Sequence, residues 1–89
     1  MHKNWLSDYI KAGQAPTAHE ILDALSLHES PRIRRRVAEN ESTPDWILRR
    51  LSQDHDPEVR LAAGTNRAAP LEIVLSLVND PDPTVRHGL

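Results

Sequence analysis

The chain has 89 residues, with 11 lysines and arginines against 13 aspartates and glutamates and a formal net charge of −2. That length suits one small domain, and the charge balance excludes the overall polycationic character of a non-specific nucleic-acid binder. There is no cysteine, which excludes disulfides, thiolate metal sites and a cysteine nucleophile together.

No uninterrupted apolar run approaches a membrane span. The opening "MHKNWLSDYI" lacks the apolar core of a signal peptide, so a cytoplasmic location is expected. Aromatic residues are few: Trp5, Tyr9 and Trp46, with no Phe. Small aliphatic side chains at regular spacing must therefore supply the core.

The first element is "NWLSDYIKAG", which reads as a helix ending at Gly13, with Trp5, Leu6, Tyr9 and Ile10 on one side. Its apolar residues do not match the pattern that follows. Residues 1–16 are expected to form an N-terminal cap.

From residue 17 the chain repeats itself with a step of 26 and no insertion. Pro31, Pro57 and Pro83 align, as do Ile33, Val59 and Val85, and Arg34, Arg60 and Arg86. Ile21, Ile47 and Ile73 keep the same step, and so do Leu25, Leu51 and Leu77, and Asn40 and Asn66. The units run about 17–42, 43–68 and 69–89, the last one truncated.

Each unit predicts two helices. The first begins at "TAHEILDAL", "TPDWILRRL" or "APLEIVLSL". Thr17 and Thr43 are expected as N-caps, Thr17 with Glu20 as a capping box, and Pro44 and Pro70 as first helical residues. Ile21, Leu22 and Leu25 are placed on one apolar face. The second helix is short, with Ser30, Asp56 and Asp82 at its N-cap, each followed by proline. One such pair cannot bury its apolar face alone, whereas stacked pairs can. The expected fold is all-α: an α-solenoid of about three helical-pair repeats with a cap helix. The chain stops at Leu89 inside the third short helix. The last layer, Val74, Val78, Val85 and Leu89, is expected to be partly uncovered, as the edge of a longer array or as a face that docks on another copy or partner.

The unit "NESTPDWILRRLSQDHDPEVRLAAGTN" resembles the leucine-rich repeat variant, a bacterial relative of HEAT repeats. The resemblance rests on Asn40, Thr43-Pro44, Leu48, Leu51, Asp54, Asp56-Pro57, Val59-Arg60, Ala63 and Asn66 and covers residues 17–89. It implies a right-handed superhelix of alternating α-helices and short helices, α or 3₁₀. It implies no common catalytic activity, and HEAT-like arrays mostly bind other macromolecules. Some members hold an iron–sulfur cluster on cysteines, a feature a cysteine-free chain does not inherit.

Residues that recur are best explained as architecture. Arg34, Arg60 and Arg86 would stack in a column and need acceptors, for which Asp54 and Asp80 in the adjoining turns are expected; the other reading is a linear anion track. Arg32 is expected opposite Glu58, Arg49 opposite Asp23 and Arg67 opposite Glu41. That leaves Arg35, Arg36 and Arg50 without an evident partner. Arg36 departs furthest, since its counterparts are Ala62 and Gly88. It reads either as a snorkelling surface arginine or as a contact to an acidic partner or phosphate. Trp46 stands where Glu20 and Glu72 stand in the other units, one turn before Arg50, so a cation–π pair is expected. It is a packing lid or a binding hot spot. Leu71 and Leu75 replace polar residues and predict an apolar surface on the third unit.

Chemistry-bearing patterns are weak. "DHDPE" and "NDPDP" lack the glycine and terminal glutamate of a calcium loop and read as capped turns. His19 with Asp23 offers two ligands, short of a metal site. Asp45 beside Trp46 faintly resembles a DNA glycosylase pattern, in a chain far too short for one. No catalytic residues, cofactor, metal or small-molecule substrate are expected. The leading expectation is a non-catalytic protein-interaction module, self-associating or docking through its C-terminal edge. Its candidate contacts are Arg35, Arg36, Trp46, Arg50, Leu71 and Leu75. Nucleic-acid or anion binding through the arginine cluster is the alternative.

Overall fold

The computed structural model describes residues 4–15 and 17–89. It is all-helical, with seven helices and no strand among the described residues. They are α1 (Trp5–Gly13), α2 (His19–Ser26), α3 (Pro31–Glu39), α4 (Asp45–Leu51), α5 (Pro57–Thr65), α6 (Leu71–Leu77) and α7 (Pro83–Gly88). The four odd-numbered helices pack in series, α1 on α3, α3 on α5 and α5 on α7, and the even-numbered helices lie against that row. The result is a slab with extents of 37 × 25 × 15 Å.

Helices α1, α3, α5 and α7 start at residues 5, 31, 57 and 83, so the backbone of α1 keeps the 26-residue step. Its side chains do not. Ser7, Asp8 and Lys11 stand where α3 has Ile33, Arg34 and Val37. Trp5 and Tyr9 turn to the core while Leu6 and Ile10 stay largely exposed. The expected apolar side of this helix is therefore split, because a face that meets α3 must follow the α3 register rather than its own hydrophobicity.

The core follows the repeat. Leu22, Ile33, Val37, Ile47, Leu48, Leu51, Val59, Ala63 and Val85 are fully buried. Ile21 is the exception: it is exposed, whereas its counterparts Ile47 and Ile73 are buried. Of the last layer, Val85 is buried while Val78 and Leu89 are partly uncovered.

The threonines act differently from expectation. The N-caps of α2 and α4 are Ala18 and Pro44, without side-chain bonds. Thr43 Oγ1 instead donates to the Val37 carbonyl at 2.7 Å, and Thr17 Oγ1 donates to the Lys11 carbonyl at 3.2 Å and to that of Gln14. Each threonine reaches back six residues to satisfy the last turn of the preceding helix, where carbonyls lack intrahelical donors. Pro70 likewise is the N-cap of α6, one residue before the helix. The second helices of the units, expected to be short, are α-helical, and α3 and α5 with nine residues each are longer than α2, α4 and α6; only α7 is short, with six. Asp56 and Asp82 cap α5 and α7 as expected, accepting from the amides of Glu58 and Thr84, both at 2.8 Å, while Ser30 makes no side-chain cap bond on α3.

Asparagines join successive units. Asn40 Nδ2 donates to the Ala12 and Gln14 carbonyls, both at 2.8 Å, and Asn66 Nδ2 to those of Ala38 at 2.7 Å and Asn40 at 3.0 Å. Their Oδ1 atoms accept from the amides of Ser42 and Ala68, each at 2.8 Å. Each buried asparagine thus ties the end of its own helix to the end of the one before. Asn66→Ala is expected to leave these groups unmatched and to cost about 2 kcal/mol in urea unfolding with an unchanged m-value; a loss under about 0.5 kcal/mol would contradict this bridging role.

Candidate functional site

The recurrent arginines are bonded into the turns of the fold. Arg34 on α3 donates from Nε to Asp54 Oδ2 at 2.8 Å and from Nη2 to Oδ1 at 3.3 Å. Arg60 on α5 repeats both bonds to Asp80, at 2.8 and 3.0 Å. Each also reaches back six residues to a carbonyl: Arg34 to His28 at 2.8 Å, Arg60 to Asp54 at 2.8 Å and Arg86 to Asp80 at 2.6 Å. The aspartates are shared with the turn, since Asp54 Oδ1 accepts from the Asp56 amide and Asp80 Oδ1 from the Asp82 amide, both at 2.9 Å. The "DHDPE" and "NDPDP" segments are therefore turn-and-arginine clamps. The side chains of Asp54 and Asp80 are 8% and 5% exposed, so the two upper rungs face inward, while Arg86 is exposed.

The first rung of this column is reversed in hydrogen-bond polarity. Asp8 occupies the arginine register and His28 the aspartate register. His28 Nδ1 accepts from the Ser30 amide at 2.9 Å, as the aspartates do for their turns. That bond puts the proton of the neutral ring on Nε2, which faces Asp8 Oδ2 at 3.3 Å. A carboxylate on α1 and an imidazole in the turn thus replace a guanidinium and a carboxylate. Nothing in the repeat pattern of hydrophobic residues signals this. Only the arithmetic of residue 34 minus 26 and residue 54 minus 26 could have found it.

Arg35, Arg49, Arg50 and Arg67 are paired, and two expected pairings shift, by three positions at Glu58 and by one at Asp23. Arg35, not Arg32, meets Glu58 at 2.8 Å, and it also bonds Glu39 at 3.2 Å. Arg50, not Arg49, meets Asp23, at 2.6 Å, and donates to Ser26 Oγ at 2.6 Å. Arg49 pairs with Glu72. Arg67 meets Glu41 at 3.8 Å, as expected. A helical residue covers the surface over the turn preceding it, so its partner is displaced from its own row. Arg35, Arg36 and Arg50, expected to lack partners, all have them. Arg36 stands 3.8 Å from Glu39 and 4.7 Å from the Tyr9 ring centroid. Its guanidinium lies against Gly13, where a Cβ would collide with it. The large residue that the repeat does not ask for is thus accommodated by a glycine on α1. Arg32 lies 5.4 Å from the Trp5 ring, which stacks on Tyr9 at 5.2 Å.

The candidate contacts fall into separate groups. Arg35 and Arg36 share Glu39 on α3. On α4 the Arg50 guanidinium lies 5.7 Å from the half-exposed Trp46 ring, the expected cation–π pair. On α6 Leu71 and Leu75 are 70% and 57% exposed. No bond or ring contact joins these groups among the described residues. Among the described residues, no three His, Asp or Glu side chains gather as a metal site would require. Nor, among those residues, is any helix long and apolar enough to cross a membrane. Comparison with models of known protein families, with curated proteins and with solved structures finds no match.

Hydrogen bonding from Arg60 holds the Asp80 carboxyl below the ordinary carboxylate range, outweighing the opposing effect of burial. A depressed carboxyl stabilises the fold at neutral pH, and this contribution is lost as pH falls through the folded-state pKa. Asp80→Asn is expected to cost roughly 3 kcal/mol at pH 7 by leaving Arg60 uncompensated. The gap between variant and parent should close as urea unfolding is repeated below about pH 4; a gap independent of pH would refute the linkage. For the reversed rung, His28→Asp should destabilise by setting two carboxylates together, and adding Asp8→Arg should restore the usual polarity. A double-mutant cycle is expected to give a favourable coupling of about 2 kcal/mol, and additive effects would show that residues 8 and 28 do not form a rung.

Proposed function

We propose that the chain is a right-handed α-solenoid of about three 26-residue units with α1 as its cap, related to the leucine-rich repeat variant and HEAT-like repeats. In this reading it is a non-catalytic protein-interaction module of a bacterial cytoplasm, and its first partner is a second copy of itself. The observation that carries the reading is the exposed apolar face of α6. Leu75 and Val78 are 57% and 46% exposed, and in the two preceding units their counterparts are the polar pairs Arg49 with Ser52 and Asp23 with Ser26. Those polar positions face the next even-numbered helix: Arg50 bonds Asp23 and Ser26, and Arg49 bonds Glu72. The same face on α6 is apolar and calls for an apolar cover. Leu71 extends it, and Trp46 backed by Arg50 adds a rigid aromatic contact of the kind that dominates interfaces.

The charge arrangement counts against nucleic acid. Arg34 and Arg60 point inward to aspartates, so they offer no track of cations for a phosphate backbone. Multi-angle light scattering tests the proposal. The parent chain is expected to exceed the 10.0 kDa monomer mass as concentration rises, with little response to salt, and Leu71→Glu with Leu75→Glu to return it to monomer. A monomer at every concentration would refute self-association. Dissociation by moderate salt would point to a charge-driven interface instead.

A further inference from the structure

On the side of α3 away from the core, Arg32, Arg35, Arg36 and Glu39 face Tyr9 of α1 across an open cleft of about 190 Å³. About 10–15 Å³ of such space holds one water, so the cleft has room for a small oxyanion. Donors there outnumber acceptors. Arg35 places Nε on Glu39 and Nη1 on Glu58. Arg36 is 3.8 Å from the nearest Glu39 oxygen, beyond hydrogen-bond distance, and its Nε is buried without an acceptor among the described residues. Arg32 has no carboxylate in ion-pair range among the described residues. Three guanidiniums thus face two carboxylates, and each guanidinium carries five donors.

The cations are also held in place. Arg36 lies over the Tyr9 ring at 4.7 Å, and Arg32 over Trp5 at 5.4 Å and Tyr9 at 5.9 Å. Gly13 lets the Arg36 guanidinium rest on α1. Cations fixed in advance lose less freedom when a ligand arrives. All three are arginine, whose planar fork matches oxyanions in a way that lysine does not.

We propose that this cleft binds one phosphoryl group, bridged by Arg32 and Arg35 with Arg36 beside it. A phosphoryl group carries nearly two charges and three strong acceptor oxygens, matching the unmet donors better than Glu39 does. Glu39 is a resident competitor, since its bonds are exposed and weak. The group is carried either by the free anion or by a phosphorylated side chain. The cleft lies on α1 and α3, apart from the α6 face, so its failure and that of the proposed self-association are separate results.

The test is an NMR titration of the whole chain with inorganic phosphate and, separately, phenyl phosphate, following the arginine Nε–H signals with ionic strength held constant by chloride. Saturable shifts confined to Arg32, Arg35 and Arg36 are expected, with a dissociation constant on the order of 1 mM or tighter. Arg35→Gln should weaken binding about tenfold while Arg50→Gln leaves it unchanged, the loss of one charge-assisted pair. Glu39→Gln, which removes the competitor without touching the rings, should tighten it. Tighter binding of phenyl phosphate assigns the site to a phosphorylated side chain, and equal binding assigns it to the free anion. Shifts that do not saturate, that chloride reproduces, or that persist in Arg35→Gln overturn the proposal.

Discussion

The rest of the structure depends on the buried arginine–aspartate rung. A guanidinium removed from water must be matched at nearly every donor, and Arg34 and Arg60 are matched in two directions at once. The forward bonds reach the aspartate of the following unit and the backward bond reaches the preceding turn. Asp54 and Asp80 also hold their own turn amides, so each rung ties its arginine to the turn that leads into α5 or α7. A charge pair of this kind adds little over a well-packed apolar pair, yet losing one partner is costly. What each pair does in the fold is to tie a helix to a turn 20 residues on, Arg34 to Asp54 and Arg60 to Asp80.

The reversed rung shows what that constraint requires. Asp8 and His28 keep a donor facing an acceptor and keep an acceptor for the turn amide, while donor and acceptor change sides. The requirement falls on hydrogen-bond polarity at two points, and residue type is free to vary within it. α1 joins the row on the same terms, although its hydrophobic pattern belongs to no repeat.

Close packing of the odd-numbered row uses a second rule. Residues 9, 35 and 61 lie over residues 36, 62 and 88 of the next helix: Tyr9 over Arg36, Arg35 beside Ala62, and Leu61 against Gly88. Where the lower residue is Gly88, a leucine side chain covers it. Where the lower residue is Arg36, an aromatic ring covers it and Gly13 gives way. The same arginine leaves its Nε buried without an acceptor among the described residues.

The 26-residue step, the helix pairs, most of the core and the Arg34–Asp54 and Arg60–Asp80 partnerships were legible in the linear sequence. They are periodic, and periodicity survives without coordinates. Legible too were the exposure of Leu71 and Leu75 and the pairing of Trp46 with Arg50, one helical turn apart. The surface pairings were not. Arg35 takes Glu58 and Arg50 takes Asp23 because side chains lean toward the preceding turn, which moves each partner off its row. The threonines were read as N-caps because an N-cap is a local signal, whereas their true acceptors are carbonyls six residues back, brought near only by the turn. Arg36 departs from the repeat because its partners, Gly13 and Tyr9, lie on a helix outside the repeat pattern. The sequence by itself determined the period and its inward-facing residues, which depend on spacing along one chain. Only the tertiary structure decided which charges meet, since that depends on the few ångströms and degrees by which one helix is set against another.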